Sequence, residues 1–209
     1  ANEKVEGSTP FARSKIQMYQ IKRLNIEELF NLALQNQKKN NLVKAKKIYN
    51  KILNLHPKFI EAYNNLGLIY RSEGENEKAI QCFEKIIKIN PNLINAHNNL
   101  GIIFQKIGEN KKAKDCYEKI IQADPNFIMA QYNFGLVLRQ LGEYEKAINC
   151  FKKVIEINPI IVNAHNNLGA TYADLGKYEE AINCYITALK HDNKHKKAKE
   201  NLISALTYY

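Results

Sequence analysis

Several features that would define a functional class are missing from this sequence. It has no run of about 18 apolar residues, so no segment is predicted to cross a membrane. It does not open with the charged and then apolar stretch of a signal peptide. No Ser-His-Asp, Cys-His, paired-carboxylate or Gly-rich phosphate arrangement is present, so we predict no active site, no metal site and no cofactor. These absences predict a non-enzymatic, intracellular and cytoplasmic protein.

Glycine and proline are scarce, but their spacing is regular. The stretch Ala62–Gly67 reads AYNNLG, and related stretches end at Gly101, Gly135 and Gly169, each 34 residues after the last. A second set of glycines follows seven residues after these, and the four prolines beyond Pro10 keep the same 34-residue spacing. A fixed period of this size indicates an array of small repeated units.

Each unit predicts two helices when the glycine of its Asn-Leu-Gly motif is numbered position 8. Positions 4, 7, 8 and 11 form one helical face, as in the unit that begins at Ile60. Gly74 at position 15 follows, where a left-handed residue can end a helix. A second apolar stripe begins at Ala79 and stops before Pro91 at position 32. No strand pattern occurs, so the predicted class is all-α.

These positions closely resemble the tetratricopeptide repeat, which has Gly at position 8, an aromatic residue at position 11, Ala at position 20 and Pro at position 32. The resemblance implies a right-handed superhelical solenoid of helix-turn-helix units. We expect five repeats at about 26–59, 60–93, 94–127, 128–161 and 162–195, and a capping helix at 196–208. Residues 18–209 would then form a single domain.

The two ends of the chain depart from the repeat. Residues 1–17 carry no period, so we expect a cloning remnant or a disordered leader, with Met18 as a candidate natural start. The first unit is degraded, because Ala33 and Asn40 replace the glycines of positions 8 and 15. Asn can still adopt the left-handed cap, so we predict a true repeat there.

The net charge of +10 belongs to the ends of the chain. Residues 60–189 hold 14 Lys or Arg and 15 Asp or Glu, so the body of the array is close to neutral. The basic ends favour solubility, and the alternative is an acidic or phosphate-bearing partner. Self-association through the terminal helices is a further hypothesis.

Cysteine and histidine are predicted to be structural. Cys82, Cys116, Cys150 and Cys184 all occupy position 23, and equivalent sites in neighbouring units lie about 8–10 Å apart, too far for a disulfide. His97 and His165 occupy position 4 two units apart, so they cannot share a metal ion. We expect packed or surface histidines.

Asparagine fills position 6 in every unit and in the capping helix, although it is a poor residue for a helix interior. We interpret this column as a ligand surface that stacking of the repeats does not require. In the resembled family, positions 2, 5, 6, 9, 12 and 13 line a concave groove. The predicted groove residues are Asn31, Asn65, Asn99, Asn133, Asn167 and Asn201 at position 6, Asn64, Asn98, Tyr132 and Asn166 at position 5, Leu68, Ile102 and Leu136 at position 9, and Arg71 and Arg139 at position 12.

A column of amides can pair with the N–H and C=O groups of an extended peptide without reading its side chains. The predicted function is therefore a protein-interaction scaffold that binds a peptide or partner segment in the groove. The lysines and arginine of the carboxylate clamp that binds chaperone tails are absent. The Asn column also resembles the repeat region of O-GlcNAc transferase, so the alternative is the substrate-recognition part of a larger transferase. RNA binding is a second alternative, disfavoured because the column lacks cations.

Overall fold

A computed structural model describes residues 25–208, and this part of the chain contains eleven helices. The predicted leader 1–17 and Met18 lie outside the described residues. The first helices of the repeats have 13 residues each, and the second helices have 14. In chain order the helices are α1 (Ile26–Lys38), α2 (Leu42–Leu55), α3 (Ile60–Ser72), α4 (Asn76–Ile89), α5 (Ile94–Lys106), α6 (Asn110–Ala123), α7 (Ile128–Gln140), α8 (Tyr144–Ile157), α9 (Val162–Asp174), α10 (Tyr178–His191) and α11 (Lys196–Tyr208).

The predicted helix ends are confirmed by the backbone. Gly74, Gly108, Gly142 and Gly176 have φ between +71° and +81°, a region that glycine adopts without a steric penalty. Asn40 takes their place in the first repeat with φ of 59°, as expected for the residue that best substitutes for glycine there. The first repeat therefore turns like the others despite its degraded sequence.

The two helices of a repeat pack closely because position 8 has no side chain. A Cβ added to Gly101 would lie 2.7 Å from Cζ of Tyr117, and one added to Gly135 would lie 2.8 Å from Cε1 of Phe151. These distances are shorter than any real Cβ contact, so the aromatic ring of position 24 occupies the space. The structure thus packs the glycine of position 8 against an aromatic ring.

The described residues divide into two compact units, at Ile89 and Asn90. The first unit holds α1–α4 around a core that includes Leu29, Tyr49, Ile52 and Leu66. Lys46 on α2 forms an ion pair with Glu73 at the end of α3, with 2.6 Å between Nζ and Oε2. Because Lys46 and Glu73 belong to different repeats, this pair joins them. The prediction of a single domain over residues 18–209 remains a prediction.

The second unit holds α5–α11. The same type of hydrogen bond occurs at three repeat junctions there. Nε2 of His97 lies 2.8 Å from the carbonyl oxygen of Pro91, and Nε2 of His165 lies 2.8 Å from that of Pro159. Gln131 donates to the carbonyl of Pro125 at the same distance. A polar residue at position 4 thus satisfies the carbonyl of the proline that ends the preceding repeat, which explains why these side chains are buried.

The all-α helix-turn-helix architecture is confirmed, and the cysteines lie in its second helices. All four thiols are free, and Cys82, Cys116 and Cys150 are buried. Burial raises the pKa of the Cys82 thiol to about 11 and that of Cys150 to about 12. Within residues 25–208, no helix is long and apolar enough to cross a membrane.

Candidate functional site

In the first unit, the first asparagine of the column is exposed and the second lies beside a buried tyrosine. Asn31 is exposed, whereas Asn65 is partly buried beside Tyr49 of the preceding repeat. Burial raises the pKa of Tyr49 to about 12, and a hydrogen bond from the Asn65 side chain opposes this rise. The Tyr49 hydroxyl also donates to Oε1 of Gln37 at 2.7 Å. Asn64 at position 5 is partly buried as well.

In the second unit, two asparagines of the column bridge consecutive first helices. Nδ2 of Asn167 donates to the hydroxyl of Tyr132 on α7 at 2.7 Å, and to the carbonyl of Asn163 at 2.9 Å. Nδ2 of Asn201 on α11 donates to Oδ1 of Asn166 on α9 at 3.0 Å. In each case a position 6 amide contacts the position 5 side chain of the preceding repeat.

The expectation that stacking does not require this column is therefore wrong for Asn167 and Asn201. Both amides bond across a repeat junction, and Asn167 is only 8% exposed. Sequence spacing missed this role because positions 5 and 6 of different repeats are 35 residues apart and nothing local pairs them. An amide has two donor hydrogens and two acceptor lone pairs, so these bonds leave part of its capacity available.

The remaining amides of the second unit are partly buried. Asn133 lies beside the buried Tyr117 hydroxyl and opposes the rise in the pKa of Tyr117 that burial causes. That hydroxyl has no hydrogen-bond partner of standard geometry, and neither has Oδ1 of Asn98. Asn99 is also partly buried. A hydrogen bond from a donor to a buried, unpaired acceptor such as Oδ1 of Asn98 is stabilising.

Position 9 carries the apolar side chains that form the predicted apolar strip. Leu68 on α3, and Ile102 and Leu136 in the second unit, are all partly buried. Ala170 replaces the large residue in the last full repeat and is buried. Side chains at positions 5, 6, 9 and 12 lie on one side of each first helix, since position 9 is three or four residues from each of the others. We call this surface the amide face.

Of the two cations predicted at position 12, Arg139 forms an ion pair. Nε of Arg139 on α7 lies 2.5 Å from Oδ2 of Asp174 on α9, and its Nη2 lies 3.3 Å from Oδ1. The pair is about one-third exposed and joins two repeats. Arg71 in the first unit is partly buried. Asp174 at position 13 was not among the predicted groove residues, because no local pattern pairs it with Arg139 of the preceding repeat.

The described residues contain no group of three or more His, Cys, Asp or Glu side chains that could hold a metal ion. The amide face combines neutral amides, apolar side chains and an ion pair. The expectation that the chain is not an enzyme and needs no cofactor stays a prediction.

Family models now identify the class of protein. Tetratricopeptide repeat models match residues 60–93, 94–127 and 162–195, and related models of the same repeat match 29–58, 116–149 and 135–176. The helices α3, α5 and α9 begin at the first residues of the matches 60–93, 94–127 and 162–195. The chain therefore belongs to the tetratricopeptide repeat family. A comparison with curated proteins finds no match.

Solved structures give particular relatives. The chain is 27% identical to a MamA protein over 82% of this chain and 94% of that one, with a TM-score of 0.76. It is 24% identical to YrrB, described as a TPR protein with an unusual peptide-binding site, over 93% of this chain and 98% of that one, with a TM-score of 0.77. A tetratricopeptide repeat protein from Parabacteroides merdae is 22% identical over 88% of this chain and 73% of that one, with a TM-score of 0.81. The last two likenesses show the fold alone.

Proposed function

We propose that this protein is an interaction scaffold whose amide face binds an extended peptide or partner segment. The observation that carries the proposal is the recurrence of partly buried amides at positions 5 and 6 of successive first helices, beside the apolar strip of position 9. The family membership supports a scaffold, and YrrB is a relative in fold that is described as having a peptide-binding site.

The chemistry of the face fits a peptide backbone. Oδ1 of Asn98 is buried without a hydrogen-bond partner and Asn133 is partly buried, so a ligand donor that reaches Oδ1 of Asn98 would satisfy an unpaired group. A peptide backbone supplies both the donors and the acceptors that an amide needs. Ile102 and Leu136 provide apolar area for every second side chain of the ligand. Recognition would be tolerant of the ligand sequence.

The dimensions predict the length of the bound segment. Packed helices lie about 8–10 Å apart, and an extended chain advances about 3.3 Å per residue. Each repeat would therefore contact about three residues of the ligand. The four first helices of the second unit, α5, α7, α9 and α11, would span about nine residues.

A backbone-directed test separates this proposal from side-chain recognition. The probe is a fluorescein-labelled nonapeptide of alternating Ala and Ser, compared with a twin that is N-methylated at three alternate peptide bonds. The twin keeps the side chains but loses backbone donors. We expect binding of the unmodified peptide, measured by fluorescence anisotropy, and a loss of at least about fivefold in affinity for the twin, from about 0.5–1.5 kcal/mol per hydrogen bond.

The protein side of the test replaces Asn99 and Asn133 together by Ala. Their loss should weaken binding of the nonapeptide by at least about fivefold. The matched control replaces Asn149 and Asn183, which are exposed asparagines on second helices outside the amide face. Equal binding by the wild type and the Asn99→Ala, Asn133→Ala variant, with unchanged circular dichroism, would refute the proposal.

Two alternatives use the same surface. A transferase could use the amide face to deliver polypeptide to a catalytic domain, but none of the relatives named above is described as a transferase. An RNA reader would need cations along the face, whereas Arg139 is neutralised by Asp174. Binding of a single-stranded RNA oligonucleotide that is lost steeply with added salt would favour the RNA reader over the peptide scaffold.

A further inference from the structure

A depression of about 250 Å³ opens at the end of the amide face, between α9, α10 and α11. Its lining includes Ala170 and Ala173 of α9, Tyr178 and Tyr185 of α10, and Tyr208 of α11. All of these residues belong to the second unit. The depression is therefore formed mainly by the last full repeat and the helix that follows it, with Arg139 of α7 also in its lining.

Two small residues on the amide face explain why the depression lies in this repeat. Position 9 is Leu136 in the preceding repeat and Ala170 here, while position 12 is Arg139 there and Ala173 here. Every earlier repeat also has a large side chain at both positions. Two alanines at these positions remove the side chains that would otherwise fill the space beside the amide face.

The walls of the depression are aromatic. The rings of Tyr178 and Tyr208 are stacked, with centroids 5.6 Å apart and an interplanar angle of 20°. Tyr185 forms another wall, and burial raises the pKa of its phenol to about 12, so it is neutral at physiological pH. Aromatic walls of this kind bind planar side chains through stacking and edge contacts.

The polar groups of the depression are electrically balanced. Arg139 and Asp174 both line it, and their ion pair leaves no uncompensated charge for a charged guest. Burying a charge that finds no partner is unfavourable, so a neutral guest is preferred. Asn201 and Ser204 add an amide and a hydroxyl that can bond to a polar tip.

We propose that this depression, the tyrosine pocket, takes a neutral aromatic side chain with a polar tip, such as tyrosine, from a peptide bound along the amide face. The proposal rests on the proposed function, since the peptide backbone would lie on the neighbouring amides. The tyrosine pocket would bind one side chain of the peptide, whereas the amides of the amide face would bind only its backbone. A buried aromatic anchor is the usual source of most of the affinity in a peptide interface.

The test uses capped single amino acids, which are too short to span successive repeats of the Asn column. Alanine methyl groups labelled with ¹³C report on Ala170, Ala173 and Ala205, which all line the pocket. Titration with N-acetyl-tyrosinamide should shift these methyl resonances with a millimolar dissociation constant. N-acetyl-leucinamide, N-acetyl-argininamide and N-acetyl-glutamine amide should each bind at least about fivefold more weakly, since an aromatic contact contributes about 0.5–1.5 kcal/mol beyond area.

Two variants complete the test. Ala170→Leu with Ala173→Gln restores the large residues of the other repeats and should abolish the shift of the Ala205 methyl group. Tyr178→Ala removes one wall and should weaken binding without filling the pocket. Met129→Leu, an exposed change on α7, is the control. Circular dichroism checks the fold of each variant.

Tighter binding of the arginine or leucine probe than of the tyrosine probe would overturn the proposal, as would binding that survives in both pocket variants. Failure of the pocket is distinguishable from failure of the scaffold proposal. If the tyrosine probe does not bind but the Ala-Ser nonapeptide does, the pocket is refuted while the amide face stands. If only the tyrosine probe binds, the backbone proposal fails.

Discussion

Asn167 donates through Nδ2 to the hydroxyl of Tyr132 at 2.7 Å, which ties α9 to α7 across a repeat junction. Position 24 of the repeat that precedes Asn167 is Phe151, which has no hydroxyl. One repeat earlier, position 24 is Tyr117, whose hydroxyl lies beside Asn133. The position 6 amide thus meets a tyrosine hydroxyl from position 24 in one repeat and from position 5 in the next. The Asn column serves both stacking and the proposed binding surface.

Replacing Asn167 by Ala should lower the free energy of unfolding by about 1–3 kcal/mol, because two hydrogen bonds of a buried amide are lost. Chemical denaturation checks this value. Tyr132→Phe removes the same junction bond, so the double variant should cost less than the sum of the two single variants. Strict additivity would show that the Asn167–Tyr132 contact does not contribute to stability.

Gly135→Ala should destabilise the protein by about 1–3 kcal/mol through overpacking. The new Cβ would lie 2.8 Å from Cε1 of Phe151, whose ring is buried and cannot move away. Thermal unfolding checks the loss. Phe151→Leu in the same chain should relieve part of it, and an unchanged transition in Gly135→Ala alone would contradict the close helix contact.

Substitutions of Gly142 test the effect of backbone conformation on stability separately from that of packing. Its φ is +76° and an added Cβ would meet nothing within 4 Å. Gly142→Ala should cost about 1–2 kcal/mol from left-handed strain alone. Gly142→Asn should cost less, because Asn40 adopts the same region in the first repeat. Equal thermal midpoints for the Ala and Asn variants would contradict this reading.

His97→Gln should leave stability nearly unchanged, since Gln131 makes the equivalent bond to Pro125 at 2.8 Å. His97→Leu should lower the free energy of unfolding by about 1–3 kcal/mol, because the Pro91 carbonyl loses its partner. Urea denaturation of the two variants provides the comparison. Gln and Leu variants of equal stability would show that the junction bond is not required.

The cysteine thiols should resist labelling in the folded protein. Burial raises the pKa of Cys82 and Cys184 from 9.0 to about 11, so little thiolate exists at pH 8. Ellman's reagent should react slowly with the native protein. After denaturation it should react with all four thiols. Stability should fall between pH 9 and 11, because the unfolded state loses these protons first. Rapid labelling of the native protein would contradict the burial.

Most of the architecture could be predicted from the spacing of small residues. Gly74 and its equivalents end the first helices, and the prolines of position 32 close the repeats, as the period indicated. Asn40 as a left-handed cap was also predicted, since few residues other than glycine adopt that conformation. These features depend on local backbone chemistry, which the sequence specifies directly.

The candidate site was less predictable. The positions of the amide face follow from helical periodicity, but the partners of its side chains do not. The Arg139–Asp174 pair and the Asn201–Asn166 bond each join residues 35 positions apart. The distance in sequence carries no signal for such a pair, because its geometry depends on how one repeat rotates onto the next.

By itself, the sequence determined the repeat period, the helix boundaries and the residues that share each helical face. These follow from glycine and proline conformation and from the 3.6-residue helical turn. Only the tertiary structure decided which amides bond across repeat junctions and where two alanines leave a tyrosine-lined pocket. The physical reason is that a hydrogen bond or a cavity exists only when side chains from separate helices are held at fixed distances.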